Sequence, residues 1–197
     1  HTYRLVAEIP DGTTLRATTT IPDTFRVVRI NKDTARYQAD EQIALTVTPS
    51  QTPEREQSFY IFSTEAQQPT EENLTPFVRE FFGDDDTLTL EDLRITSSPI
   101  INEANYQTND DGTITIRLPW IAVAFYGPNR ARASAVDDNL YDFIRSQSAQ
   151  ANGGGFSPGA IPNILEQVEN GTGVFGSYAS ADTLVVVQSP FGGTSGQ

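Results

Sequence analysis

Along this chain, hydrophobic and polar positions alternate with a period of two far more often than they recur at helical spacing. Tyr3, Leu5, Ala7 and Ile9 alternate with Thr2, Arg4, Val6 and Glu8. Pro10-Asp11-Gly12 is a turn signal, and Leu15, Ala17 and Thr19 resume the alternation before Pro22 ends it. Residues 1–22 therefore predict a β-hairpin. A lone hairpin is marginal in water and needs a neighbour, so the chain is expected to open in the middle of a sandwich whose earlier strands lie elsewhere.

Further strands are predicted over Thr24 to Ile30, over Ile43-Leu45-Val47 up to Pro49, and over Ser58 to Thr64. In the last, Phe59 and Ile61 on one face oppose Tyr60 and Phe62 on the other, as in a strand buried on both sides. Asn109-Asp110-Asp111-Gly112 is a hairpin turn, and Ile114, Ile116 and Leu118 follow on one face. Trp120 to Tyr126, the longest apolar run, predicts a central strand, and Gly127-Pro128-Asn129 a turn into Arg130 to Val136. Ala131, Ala133 and Ala135 there imply close packing against another layer. Val174-Phe175-Gly176 and Leu184 to Val187 are expected as closing strands.

Helical spacing occurs in few places. Phe77, Val78, Phe81 and Phe82 predict a short helix within 74–82, and Thr89 with Asp92 has the form of a capping box. Leu140, Phe143, Ile144 and Gln147 mark a stripe over 138–149, and Asp137-Asp138 stand where a helix N-terminus favours acids. The expected fold is mainly β, an antiparallel sandwich or partial barrel with one or two short helices. Residues 1–22 form a closing hairpin, 23–190 a β-rich domain and 191–197 a flexible tail.

Charge narrows the function classes. The 197 residues carry 26 acids against 13 bases, a net charge of −13, and Lys32 is the single lysine. A nucleic-acid binder needs a basic face, and a membrane-surface helix a polybasic one; the acidic balance argues against both. Zero cysteine excludes disulfides, thiolate metal sites and cysteine nucleophiles, and the one histidine is residue 1. No apolar run approaches the ~20 residues of a spanning helix. His1-Thr2-Tyr3-Arg4 is not a signal peptide, and methionine is absent, so the chain is expected to be processed or part of a longer one.

Several groups carry candidate chemistry. Asp84-Asp85-Asp86 offers hard oxygen ligands for calcium, although EF-hand spacing fails: Thr89 falls where glycine is required and Ile95 where glutamate is required. Asp137, Asp138, Asp142, Glu166 and Glu169 are carboxylates of the kind a glycosidase pairs, but helix capping explains Asp137 and Asp138 equally well. Gly171-x-Gly173-x-x-Gly176 spells a dinucleotide fingerprint, yet a β-rich stretch follows where a helix is needed. Trp120, Tyr178 and Phe156 are the candidate ligand-stacking rings, with Tyr126 and Tyr141 beside them. For Trp120, core packing is the favoured alternative.

Two stretches together resemble a known family. One runs from Tyr3-x-Leu5 through Pro10-Asp11-Gly12 to Ala17-Thr18-Thr19-Thr20-Ile21-Pro22. The other comprises Asp138-Asn139-x-Tyr141-Asp142-Phe143, Phe156-Ser157-Pro158-Gly159-x-Ile161-Pro162-Asn163 and Glu169-Asn170-Gly171-Thr172-Gly173-Val174-Phe175-Gly176-Ser177. The pattern is similar to uncharacterised cell-envelope lipoproteins of Bacteroidetes. The resemblance implies a hairpin that closes an immunoglobulin-like sandwich, a second β-rich region after it, and a lipid-modified cysteine upstream. It implies no catalytic residue.

The expected function is thus a non-catalytic protein of the outer membrane or cell surface that acts in binding or assembly. It would have a protein partner, no nucleic acid, no cofactor beyond calcium, and a membrane attachment only through a lipid anchor outside this chain. The alternatives are a carbohydrate- or peptide-binding module of an uptake system and a carboxylate-dependent hydrolase.

Overall fold

The computed structural model describes residues 1–51, 58–82, 88–102, 105–152 and 167–190. The candidate ligands Asp84, Asp85 and Asp86, the ring of Phe156, the carboxylate of Glu166 and the tail 191–197 lie outside them. The chain divides into two compact units. The first gathers residues 1–24, 50–59 and 135–179; the second gathers 25–49, 60–134 and 180–197.

In the first unit, β1 (Thr2–Glu8) and β2 (Thr14–Thr20) form the expected hairpin. Gly12 takes φ +88° in its turn, and the Asp11 carboxylate accepts the Thr13 N–H at 2.8 Å. The helix expected from Asp138 is present as Asp138–Asn152. Asp137 caps it: Oδ1 accepts the Leu140 N–H at 2.9 Å. The stretch Val174 to Gly176, expected as a strand, is irregular instead, and the strand begins at Tyr178. Its backbone is taken up by the helix end: the Asn139 amide donates to the carbonyls of Thr18 (2.6 Å) and Phe175 (2.9 Å). Gly176 lies so close to that end that a Cβ there would sit 2.9 Å from the Leu140 Cβ.

The second unit is a sandwich with mostly antiparallel sheets. One has the order β3-β5-β9-β8: β3 (Val27–Ile30), β5 (Ala44–Val47), β9 (Ile114–Arg117) and β8 (Tyr106–Thr108). The other has the order β4-β11-β10-β6-β7, from β4 (Thr34–Arg36), β11 (Tyr178–Gln188), β10 (Gly127–Val136), β6 (Phe59–Ala66) and β7 (Ile95–Ser97). Here β4 and β11 pair in parallel. Inward residues alternate as strand geometry requires: Leu45, Ile116, Val185 and Val187 are buried from opposite sheets. The Tyr60 ring on β6 meets the Tyr106 ring on β8 edge-on, with centroids 5.7 Å apart. Ala131 and Ala133 are fully buried, as their small size led one to expect.

Two short helices close one end. They are α1 (Pro76–Phe82), within the expected 74–82, and α2 (Leu90–Leu93), which has the full Thr89–Asp92 capping box. The helix at Asp138–Asn152 is α3 in chain order. Val78 packs with Ala66, Ala124 and Phe125, against Leu74, Phe77, Leu90 and Leu93.

Trp120 to Tyr126 does not form a central strand. It opens as a 3-10 turn (Trp120–Ala122) after Pro119 and then makes a single bridge, Phe125 to Leu74. Ala122 to Phe125 are buried while Ile121 is 53% exposed, and two of the run's carbonyls are satisfied by threonine side chains rather than a ladder. The Thr64 hydroxyl donates to Ala122 O at 2.6 Å, and the Thr75 hydroxyl to Val123 O at 2.9 Å. Gly127 (φ +89°) is already the first residue of β10, so no separate turn intervenes.

Candidate functional site

Two places offer chemistry to a partner. The first is the outer edge of the hairpin. In an antiparallel pair, alternate residues point both backbone groups at the neighbour strand and the others point them away. Bonds from Ile21 N to His1 O and from Ile9 N to Thr13 O place the odd-numbered residues of β1 on the inner side. Thr2, Arg4, Val6 and Glu8 therefore direct their N–H and C=O groups outward. Among the described residues β1 has no strand partner besides β2.

The opposite edge of the hairpin is engaged at Thr14, Arg16 and Thr18. Arg16 exchanges two backbone bonds with Glu169. The Asn170 amide donates to Thr14 O at 3.0 Å, and the Asn139 amide covers Thr18 O. Asn170 reaches this position with φ +60°, and Gly171 sits where a Cβ would be 3.0 Å from Leu15 Cδ2. This explains the glycine-punctuated stretch: it seals one edge of the hairpin and leads into β11, so no helix follows and the dinucleotide fingerprint is not realised. Tyr3 (52% exposed) and Val6 (56%) on β1, and Ile9 (37%) just after it, place apolar surface beside the open edge.

The second place is the outer face of the four-stranded sheet. Its register sets one row of side chains across all four strands: Arg29 opposite Thr46, Thr46 opposite Thr115, Thr115 opposite Gln107. A bulge at Val28 makes this possible. Val27 pairs with Val47, but Arg29 rather than Val28 pairs with Thr46, so the extra residue turns Arg29 outward and Ile30 toward Leu45. The groups are hydrogen-bonded in sequence. Arg29 Nε–H donates to Thr46 Oγ1 (3.2 Å), the two threonine hydroxyls lie 3.2 Å apart, and the Asn109 amide donates to Thr115 Oγ1 (3.0 Å). Arg117, opposite the small Ala44, donates to Gln107 Oε1 at 3.3 Å. These residues floor and wall a groove of about 590 Å³, rimmed by Asp40, Glu41 and Gln42.

Trp120 holds that rim without lining the groove. Its indole N–H donates to Ala39 O at 3.0 Å, and its ring meets the buried Tyr37 edge-on at 5.6 Å. Tyr126 also meets Tyr37 edge-on at 5.6 Å, and burial pushes its phenol above the usual range. Tyr178 stands 57% exposed at the first position of β11. Tyr141 stacks on Phe59 at 3.8 Å. None of Trp120, Tyr126, Tyr141 and Tyr178 lines the groove on the sheet face.

Of the candidate carboxylates, Asp137 is 3% exposed and does structural work. Its Oδ2 accepts the Thr19 hydroxyl at 2.5 Å, and Thr19 lies 2.7 Å from the Ser177 hydroxyl. The Thr19 hydroxyl thus has both the Asp137 carboxylate and the Ser177 hydroxyl within hydrogen-bond distance of its one hydrogen. Glu169 acts through its backbone on Arg16. A half-buried acid, Glu65, is held by Arg94 (2.5 Å) and Arg132 (3.3 Å) on the outer face of the five-stranded sheet. Among the described residues no three His, Cys, Asp or Glu side chains come together as a metal site, and no helix is long and apolar enough to cross a membrane.

The architecture is that of a β-rich sandwich protein whose carboxylates cap, pair and close turns, with an open strand edge and a polar sheet face left accessible. The chain belongs to the family described as a domain of unknown function (DUF4249), whose model matches residues 1–183. No curated protein and no solved structure matches it.

The sequence pointed to aromatic rings and acid clusters and missed the row on the sheet face. Part of the signal was there: inward Ile114 and Ile116 make Thr113, Thr115 and Arg117 outward by alternation. The bulge at Val28 and the register that aligns four strands were not visible in it.

Proposed function

We propose that this protein is a non-catalytic component of the bacterial cell envelope, displayed at the outer membrane or cell surface, that works by binding or assembly. The observation that supports this reading is the asymmetry of the hairpin. One edge is sealed by Glu169, Asn139 and Asn170, while the seven-residue β1 keeps outward backbone groups beside Tyr3, Val6 and Ile9. Folded proteins blunt or cover such edges, and an added strand is the simplest cover. The resemblance to cell-envelope lipoproteins supports the location.

The chain has no cysteine, so Val6→Cys installs a unique thiol at the centre of the open edge. A membrane-impermeant photo-crosslinker attached there on intact cells is expected to yield one adduct heavier by the mass of a second protein. Loss of labelling on intact cells would contradict the location. A crosslink wholly inside the same polypeptide would assign the edge to completion of this protein's own sheet and refute assembly through β1.

A further inference from the structure

We propose that the groove on the outer face of the β3-β5-β9-β8 sheet binds a neutral, polyhydroxylated ligand, an oligosaccharide by chemistry. The proposal goes beyond assembly through β1 and uses none of its residues.

The row Arg29–Thr46–Thr115–Gln107 crosses three inter-strand spacings, about 14 Å in all, longer than one sugar ring. Its floor is low, formed by Ala44 and the two threonines, and its walls are planar hydrogen-bonding groups: two guanidinium forks, the Asn109 amide and the Gln107 amide. Planar forks recognise paired oxygen atoms, and amides offer donor and acceptor side by side.

The hydrogen count favours hydroxyl partners. Arg29 donates to Thr46, and Asn109 to Thr115. Only one of the two threonine hydrogens is needed for the bond between them. The other is left over at the groove floor, and a ligand oxygen can accept it.

Charge selects against an ion. Among the residues that line the groove, Arg29 and Arg117 are balanced by Asp40 and Glu41. Lys32 meets Glu41 at 2.6 Å and, with the Asn31 amide, holds its carboxyl below the usual range. A lining with no net formal charge and many donors and acceptors suits a ligand with hydroxyls and no charge. The bulge at Val28 is the structural investment that matters: without it, Arg29 would point into the core.

The test is binding of cellotriose, maltotriose, mannotriose, xylotriose and trigalacturonate to the full chain, followed by NMR. At least one neutral trisaccharide is expected to bind saturably and to shift resonances of Arg29, Thr46, Thr115 and Asn109. Arg29→Ala/Arg117→Ala is expected to weaken it at least tenfold while leaving the melting temperature within 2 °C, roughly the shift of an ordinary surface substitution. Thr46→Val, which keeps the volume and removes the hydroxyl, is expected to weaken it by about fivefold. Absence of binding by every neutral sugar, tighter binding of trigalacturonate, or affinity unchanged in the double variant would each overturn the proposal.

Discussion

Removing the Asp137 carboxylate separates a structural acid from a chemical one. Asp137 is buried, caps α3 through the Leu140 N–H, and terminates the hydroxyl chain Ser177–Thr19–Asp137. Asp137→Ala removes the cap, worth about 1 kcal/mol, and strands a buried hydroxyl hydrogen, worth about 2 kcal/mol more. The sum is about 3 kcal/mol, or ~6–12 °C in melting temperature for a chain of this size. Asp137→Asn keeps Oδ1 for the cap, and its amide donates to Thr19, which turns its own hydrogen to Ser177. The loss should then be about 1 kcal/mol, the difference between a charge-assisted and a neutral hydrogen bond. Urea unfolding followed by circular dichroism measures both variants. If the two variants lose the same stability, or if the alanine loses less than about 1 kcal/mol, the assignment of Asp137 to capping and the hydroxyl chain is wrong.

Three further outcomes are expected. Gly176→Ala places a Cβ 2.9 Å from Leu140 Cβ and 3.2 Å from Asp137 Oδ1; as the backbone of a capped helix cannot yield cheaply, thermal unfolding should fall by about 2 kcal/mol, or ~4–8 °C. Val6→Pro removes only an outward N–H and should leave stability within about 1 kcal/mol by urea unfolding, whereas it should abolish the crosslink from the β1 edge, the cysteine being moved to Arg4 for that experiment. Acidification should weaken the fold through Asp92, Asp11 and Asp111, whose carboxyls lie low chiefly because they accept hydrogen bonds from Thr89, Thr13 and Thr113 respectively. Their stabilisation is complete above a pH of about 4 and is lost as pH falls below it, which a melting series from pH 6 to 2 reads directly.

Local chemistry in the sequence carried the local structure. Pro10-Asp11-Gly12 and Asn109-Asp110-Asp111-Gly112 gave both hairpins because φ > 0 at Gly12 and Gly112 needs glycine. Thr89 and Asp92 gave the capping box because a three-residue spacing brings the groups together. The apolar run Trp120 to Tyr126 misled because hydropathy reports burial and not pairing; the hydroxyls of Thr64 and Thr75, remote in sequence, take the bonds a neighbouring strand would have taken. The parallel pairing of β4 with β11 joins Ala35 to Val187, a separation no local pattern reveals. Arg29 could not be placed on the groove because a two-residue period, carried without the bulge, would have turned it inward.

Hydrogen exchange at the β1 backbone tests assembly through this edge most directly. In the isolated chain, the amides of Tyr3, Leu5 and Ala7 should be protected by β2, while those of Arg4, Val6 and Glu8 exchange nearly as fast as in an unfolded peptide. In the protein isolated together with its envelope partners, Arg4, Val6 and Glu8 should become protected too. Protection of those three amides in the isolated chain, or fast exchange in both preparations, would contradict it.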